Sequence, residues 1–193
     1  MKLVIVDLDG TLFDTKDVNY HAYKDAIAPY GYKIDYNYYC EFCNGRHYMD
    51  FLPQITTSDQ DVLEAMHKVK KNAYKKHLNK AVLNIGLVDI IRLMRKEYKT
   101  AVVTTASKEN CYDILNQFGL VDLFDLILTH DDITKSKPDP EGFLKAMDYF
   151  DAKPTETIIF EDSEVGLEAA EKSGAYYYKT YRFNYHGKFP PIS

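Results

Sequence analysis

In Lys2-Leu3-Val4-Ile5-Val6-Asp7-Leu8-Asp9-Gly10-Thr11, four apolar residues follow Lys2 and run straight into a carboxylate. A short apolar run without polar alternation reads as a strand buried on both faces, the pattern of a parallel sheet between helices. Asp9-Gly10 signals a turn directly after it. Working outward, residues 100–104, 126–128, 157–160 and 175–178 form four further short candidate strands. Between them apolar residues recur at helical spacing: Leu87, Ile90, Ile91 and Met94; Cys111, Ile114, Leu115 and Phe118; Phe143, Ala146, Met147 and Phe150. Ser163 can cap a last helix, and Gly174 sits where a helix C-terminus takes a left-handed residue. The alternation predicts an α/β fold, a doubly wound parallel sheet of five strands.

Residues 15–83 break the alternation. They hold no strand pattern and two amphipathic helical stretches, marked by Val18, Ala22, Ala26 and by Val62, Met66, Val69, Ala73. The expectation is an α-helical cap domain over 15–83, inserted into a core domain formed by 1–14 and 84–193. Its charge differs as well: ten Lys/Arg against eight Asp/Glu, where the remainder has 14 against 21. The basic run over residues 68–80 is read as a solvated helix face.

Composition removes several classes. The 193 residues are 46% hydrophobic, enough for a core, although 17 tyrosines inflate that figure. A net charge of −5 argues against a nucleic-acid binder. No apolar run approaches the ~18 residues that span a bilayer, and the opening residues show no secretory signal. Three cysteines make no disulfide framework, so a reduced, cytoplasmic setting is expected.

The chemistry lies at the strand ends, where ligands bind in open parallel sheets. Asp7 and Asp9 end the first strand, and crowded carboxylates there need a compensating cation; a hard, oxygen-liganded ion such as Mg²⁺ suits them. The second candidate strand ends in Thr104-Thr105, hydroxyls able to hold a phosphoryl oxygen. After the third comes Lys135-Ser136-Lys137-Pro138-Asp139-Pro140, a lysine on a proline-stiffened loop. The fourth ends in Glu161-Asp162-Ser163, a second acidic pair before a helix. Each alone has an ordinary structural reading: β-propensity, a surface turn, a helix cap. In this order, each at its strand end, they are far more specific.

These residues resemble the haloacid dehalogenase (HAD) superfamily of phosphatases and phosphomutases. Asp7-Leu8-Asp9-Gly10-Thr11 matches its first motif, Thr104 or Thr105 the second, Lys137 in Ser-Lys-Pro-Asp-Pro the third. Glu161-Asp162-Ser163-Glu164-Val165-Gly166-Leu167-Glu168-Ala169-Ala170 matches the fourth. Alignment on Ala-Val-Val-Thr favours Thr104 and alignment on Thr-Ala-Ser-Lys favours Thr105; Thr104 is preferred. The resemblance covers the whole core and implies a HAD-like, Rossmann-like core with a helical cap. It implies Asp7 as nucleophile, forming an aspartyl-phosphate, and Asp9 as general acid and then base. Asp9 also argues against a dehalogenase, which lacks that second acid. Asp7, the Asp9 backbone carbonyl and Asp162 would hold Mg²⁺, with Glu161 a direct ligand or a neighbour of one; Lys137 and the threonine would bind phosphoryl oxygens.

The resemblance therefore implies a Mg²⁺-dependent phosphatase of small phosphate monoesters, with no nucleic-acid or membrane partner and no indication of oligomeric state. The alternative within enzymes is a mutase of the β-phosphoglucomutase type, since Ser107-Lys108 resembles the group that holds a distal sugar phosphate there. A non-catalytic module on the same fold would be expected to lack Asp7 or Asp9. Gly45-Arg46 resembles a cap loop that contacts substrate in relatives, which makes Arg46 a possible substrate contact. Seven tyrosines from Tyr20 to Tyr39 are read mainly as cap core. Cys40-Glu41-Phe42-Cys43, even with His47 nearby, lacks the further ligands of a zinc site and is read as two ordinary cysteines. The aromatic and basic stretch over 176–185 is read as a last buried strand followed by a packed tail, in preference to a single-strand binder.

Overall fold

The computed structural model describes residues 2–181. The chain forms two compact units: Met1–Asp14, Leu83–Lys108 and Leu120–Ser193 in the first, Thr15–Val82 and Glu109–Gly119 in the second. Residues 109–119, placed with the sheet by the sequence-based division, cluster with the second unit. Among the described residues no helix is long and apolar enough to cross a membrane.

The first unit is built on a five-stranded parallel sheet. β1 (Leu3–Val6), β4 (Lys99–Val103), β5 (Leu126–Leu128), β6 (Thr157–Glu161) and β7 (Tyr176–Lys179) lie in the order β5-β4-β1-β6-β7. The apolar runs of β1 and β4 lie inside the sheet and are buried, whereas the apolar run of β5 lies at an edge and is half-buried. All four residues of β1 are fully buried. Leu3 and Ile5, with Ala101, Val103 and Ile159, form a core with Phe143, Ala146 and Met147 of α7 (Glu141–Tyr149) and Ala169 and Ala170 of α8 (Glu164–Ser173). Ser163 caps α8 by accepting from Gly166 N at 3.1 Å, and Gly174 ends it at φ +76°. α5 (Ile85–Met94) is capped by Asn84, whose Oδ1 accepts from Leu87 N at 3.1 Å. β2 (Phe13–Asp14) and β3 (Val82–Leu83) pair as a separate ribbon.

The last strand corrects an expectation. β7 is an edge strand and is exposed, with Tyr176 at 62% and Tyr178 at 59%, rather than buried. Apolar composition placed it in the interior, but order in the sheet decides burial, and β7 has a neighbour on one side only. Residues 182–193, which include the rest of the aromatic and basic stretch (182–185), lie outside the described residues.

The second unit is helical: α1 (Lys16–Ile27), a single turn α2 (Tyr36–Tyr38), α3 (Tyr48–Ile55), α4 (Gln60–Tyr74) and the body of α6 (Lys108–Gln117). Its core joins Tyr20, Tyr23 and Ile27 of α1 to Leu63 and Met66 of α4, with Tyr39, Phe51 and Leu52 between. Of the seven tyrosines, Tyr20, Tyr23 and Tyr39 are buried while Tyr30, Tyr36 and Tyr38 are exposed. The buried stripe of α4 runs through Leu63, Met66, Lys70, Ala73 and Tyr74; Val69, expected on that face, is 41% exposed. The shift is one residue around the helix. Lys70 takes the inner place because its stem is apolar and its ammonium lies 5.0 Å from the Tyr23 ring and 5.3 Å from the Tyr74 ring.

Candidate active site

Strand register brings the chemistry together within the first unit. Val6 pairs with Phe160 of β6 and with Val102 of β4. The next residues, Asp7, Glu161 and Val103, therefore stand side by side at the carboxyl edge of the sheet. Asp7 N still donates to Phe160 O at 3.0 Å.

Lys137 reaches this edge from the loop before α7. Its Nζ donates to Asp7 Oδ1 and to Glu161 Oε1, each at 2.6 Å, and to Val103 O at 3.4 Å, and it lies 5.2 Å from the Phe143 ring. Glu161 is 1% exposed and uses both oxygens. Oε2 accepts from Asp162 N at 2.7 Å, Ser163 N at 2.8 Å and Ser163 Oγ at 3.1 Å. Asp162 is steered by Thr11, whose Oγ1 donates to its Oδ1 at 3.0 Å. Gly10 makes room for it. At φ +92° a side chain there is strained, and a Cβ would stand 2.3 Å from Asp162 Oδ2.

The electrostatics of the cluster are unbalanced. Burial pushes the Asp7 carboxyl well above the usual carboxylate range; Glu161 and Asp162 add to the push, and Lys137 opposes it. Burial works against the Lys137 charge too, but Asp7 and Glu161 hold its ammonium above the ordinary lysine value. Asp7, Glu161 and Asp162 offer oxygens within 4.8 Å of one another. Three carboxylates against one ammonium, all oxygen donors, fit a hard divalent cation.

The remaining sequence-predicted residues are distributed as follows. Asp9 is half-buried in the turn after β1, bridged through its backbone to Phe13. The two threonines part company. Thr104 is 1% exposed, its Oγ1 accepting from Ala106 N at 3.0 Å, and it shares a small cavity with Lys137 and Phe143. Thr105 is exposed. Arg46 lies in an exposed turn of the second unit. Cys40 and Cys43 are free cysteines, and burial raises the Cys43 thiol; among the described residues the metal-competent group is the carboxylate cluster. Sequence reasoning left Glu161 undecided and gave no role to Gly10, Thr11 or Gly166; Gly10 and Thr11 act on Asp162, about 150 residues away, and Gly166 acts by the side chain it lacks.

A family model of haloacid dehalogenase-like hydrolases matches residues 4–178. The chain belongs to this family. Among curated haloacid dehalogenase-like relatives, it is 28% identical over 180 residues to the phosphorylated carbohydrates phosphatase of Thermotoga maritima, covering 90% of this chain and 82% of that protein. It is 27% identical over 173 residues to the fructose-1-phosphate phosphatase YqaB of Escherichia coli, covering 89% and 92%. Its fold matches the crystal structure of CbbY from Rhodobacter sphaeroides in complex with phosphate, with a TM-score of 0.81 at 23% identity over 99% of this chain and 91% of that one. This hydrolase thus has the α/β core of its family, a parallel sheet flanked by helices.

Proposed function

We propose that the chain is a Mg²⁺-dependent phosphatase of small phosphate monoesters, phosphorylated carbohydrates among them, working through an aspartyl-phosphate on Asp7. The observation that carries this reading is the ammonium of Lys137 held at 2.6 Å from both Asp7 and Glu161, with Asp162 beside them. The names of the two phosphatase relatives support the substrate class.

Asp7 and Asp162, with the backbone carbonyl of Asp9, would hold Mg²⁺, and the ion would supply the positive charge that lets a phosphate dianion approach these carboxylates. A carboxylate oxygen of Asp7 attacks phosphorus; the bond to the ester oxygen breaks, and the Asp9 carboxyl gives that oxygen its proton. Asp9, now ionised, takes a proton from water; the water oxygen attacks phosphorus, the bond to Asp7 breaks and phosphate leaves. Lys137 orients Asp7 through Oδ1 and favours its ionised form, opposing the effect of burial. Thr105 is assigned the phosphoryl contact because its side chain is exposed, whereas Thr104 is buried.

The test is a phosphate-release screen over sugar phosphates and other small esters with Mg²⁺. Release from at least one sugar phosphate, lost on chelation, is expected. No release from any ester overturns the reading. Interconversion of hexose phosphates on a bisphosphate activator, without released phosphate, would assign the mutase instead.

A further inference from the structure

We infer that Gly166 is a positioning residue of this site and acts through Glu161. Gly166 is buried in the first turn of α8. A Cβ built on it would stand 1.8 Å from Glu161 Oε1, 2.0 Å from Cδ and 2.4 Å from Oε2. The Glu161 carboxylate occupies the volume that any other side chain at 166 would fill. Backbone conformation does not call for glycine here, because the residue is helical, and helix propensity by itself favours alanine. The missing side chain is explained by the carboxylate against it.

A carboxylate at the end of a flexible side chain ordinarily moves aside. This one is held by four groups: Lys137 Nζ at 2.6 Å on one oxygen, and Asp162 N, Ser163 N and Ser163 Oγ on the other. It is buried, so it has no solvent to turn towards. Displacing it pulls away the second anchor of Lys137, which then loses its aim at Asp7 Oδ1. It also opens the turn through Asp162 N that sets the carboxylate Thr11 steers. Gly166 touches no reacting atom; its absent side chain keeps Glu161, and through it Lys137, in place. The catalytic consequence rests on the phosphatase reading, whereas the contact itself does not.

A double-mutant cycle tests the assignment. Gly166→Ala, Glu161→Ala and the double variant are compared by urea unfolding in chelator, and Gly166→Ala by steady-state phosphate release. In the single variant kcat should fall about 100-fold with KM changed by less than about threefold, because the displaced group orients the nucleophile rather than the body of the substrate. Gly166→Ala should lower the unfolding midpoint when Glu161 is present, and leave it unchanged or raise it in the Glu161→Ala background. If Gly166→Ala does not fold alone but folds with Glu161→Ala, the assignment stands; if neither folds, it fails. Near-wild-type kcat, or an equal loss of stability in both backgrounds, overturns it. Should the wild type release no phosphate from any ester, the phosphatase reading falls, and the unfolding cycle still decides the contact.

Discussion

Lys137 Nζ and Asp7 Oδ1 meet at 2.6 Å across 130 residues of chain. The side chains are 7% and 9% exposed, and the same ammonium meets Glu161 at the same distance. Removing it strands two buried carboxylates. Lys137→Ala should therefore lower stability by about 3 kcal/mol, read by urea unfolding in chelator. It should also lower kcat by about 10²–10³. An unchanged midpoint with near-wild-type turnover would take Lys137 out of the site.

Asp9 is separable from Asp7. Asp7→Asn should abolish turnover, because it removes the attacking oxygen with little change in volume. Asp9→Asn should cost ~10²–10⁴ in rate with an alkyl phosphate. An activated aryl ester such as p-nitrophenyl phosphate leaves without help, so its first step should suffer less and the acyl phosphate on Asp7 should accumulate. Rapid quench of protein-bound phosphate reads this. Equal losses for both esters with no trapped phosphoenzyme would withdraw the acid and base roles.

Gly10 and Gly31 have similar φ values, +92° and +82°, but only Gly10 faces a side chain, Asp162 Oδ2 at 2.3 Å from a built Cβ. An alanine at either position should cost stability by about 1–2 kcal/mol from the left-handed backbone. Only Gly10→Ala should also raise the Mg²⁺ concentration needed for half-maximal activity, by roughly tenfold or more, as a displaced metal ligand would. The two titrations, run side by side, check this; equal Mg²⁺ requirements would mean that Asp162 accommodates the methyl group.

His67 gives the second unit an acid-sensitive point. Its Nδ1 is buried without a hydrogen-bond partner, and its ring stacks on Tyr48 at 3.9 Å. Burial, then Lys71, Lys70 and His47, lowers its pKa to about 4. The unfolded chain binds this proton more readily than the folded one, so stability is fully present above pH ~6.5 and falls as pH drops towards the folded value. The loss should be on the order of 2 kcal/mol between pH 7 and pH 4 and absent from the pH–stability curve of His67→Phe. Parallel curves for both proteins in urea unfolding would refute it.

Much of this was legible before any coordinates. The runs at 3–6, 100–104, 126–128, 157–160 and 175–178 correspond to β1, β4, β5, β6 and β7 within one residue at each end. They were readable because apolar runs and helical spacing are local properties, and because Ser163 and Gly174 mark the ends of α8 by chemistry confined to a few residues. Strand ends in a parallel sheet share one edge, so Asp7, Lys137, Glu161 and Asp162 could be grouped by order alone.

Tertiary structure decided what depends on distant neighbours. Position in the sheet exposed β7 despite its aromatic content, and a rotation of one residue put Lys70 inward and Val69 outward. Packing, not motif, separated buried Thr104 from exposed Thr105. The bond between Lys137 and Glu161, the space Gly10 leaves for Asp162 and the space Gly166 leaves for Glu161 are contacts between side chains and absences of side chains. A sequence names both partners of such a contact, but their meeting is set by the register of β1 against β6 and the placement of α8, which only the folded chain supplies.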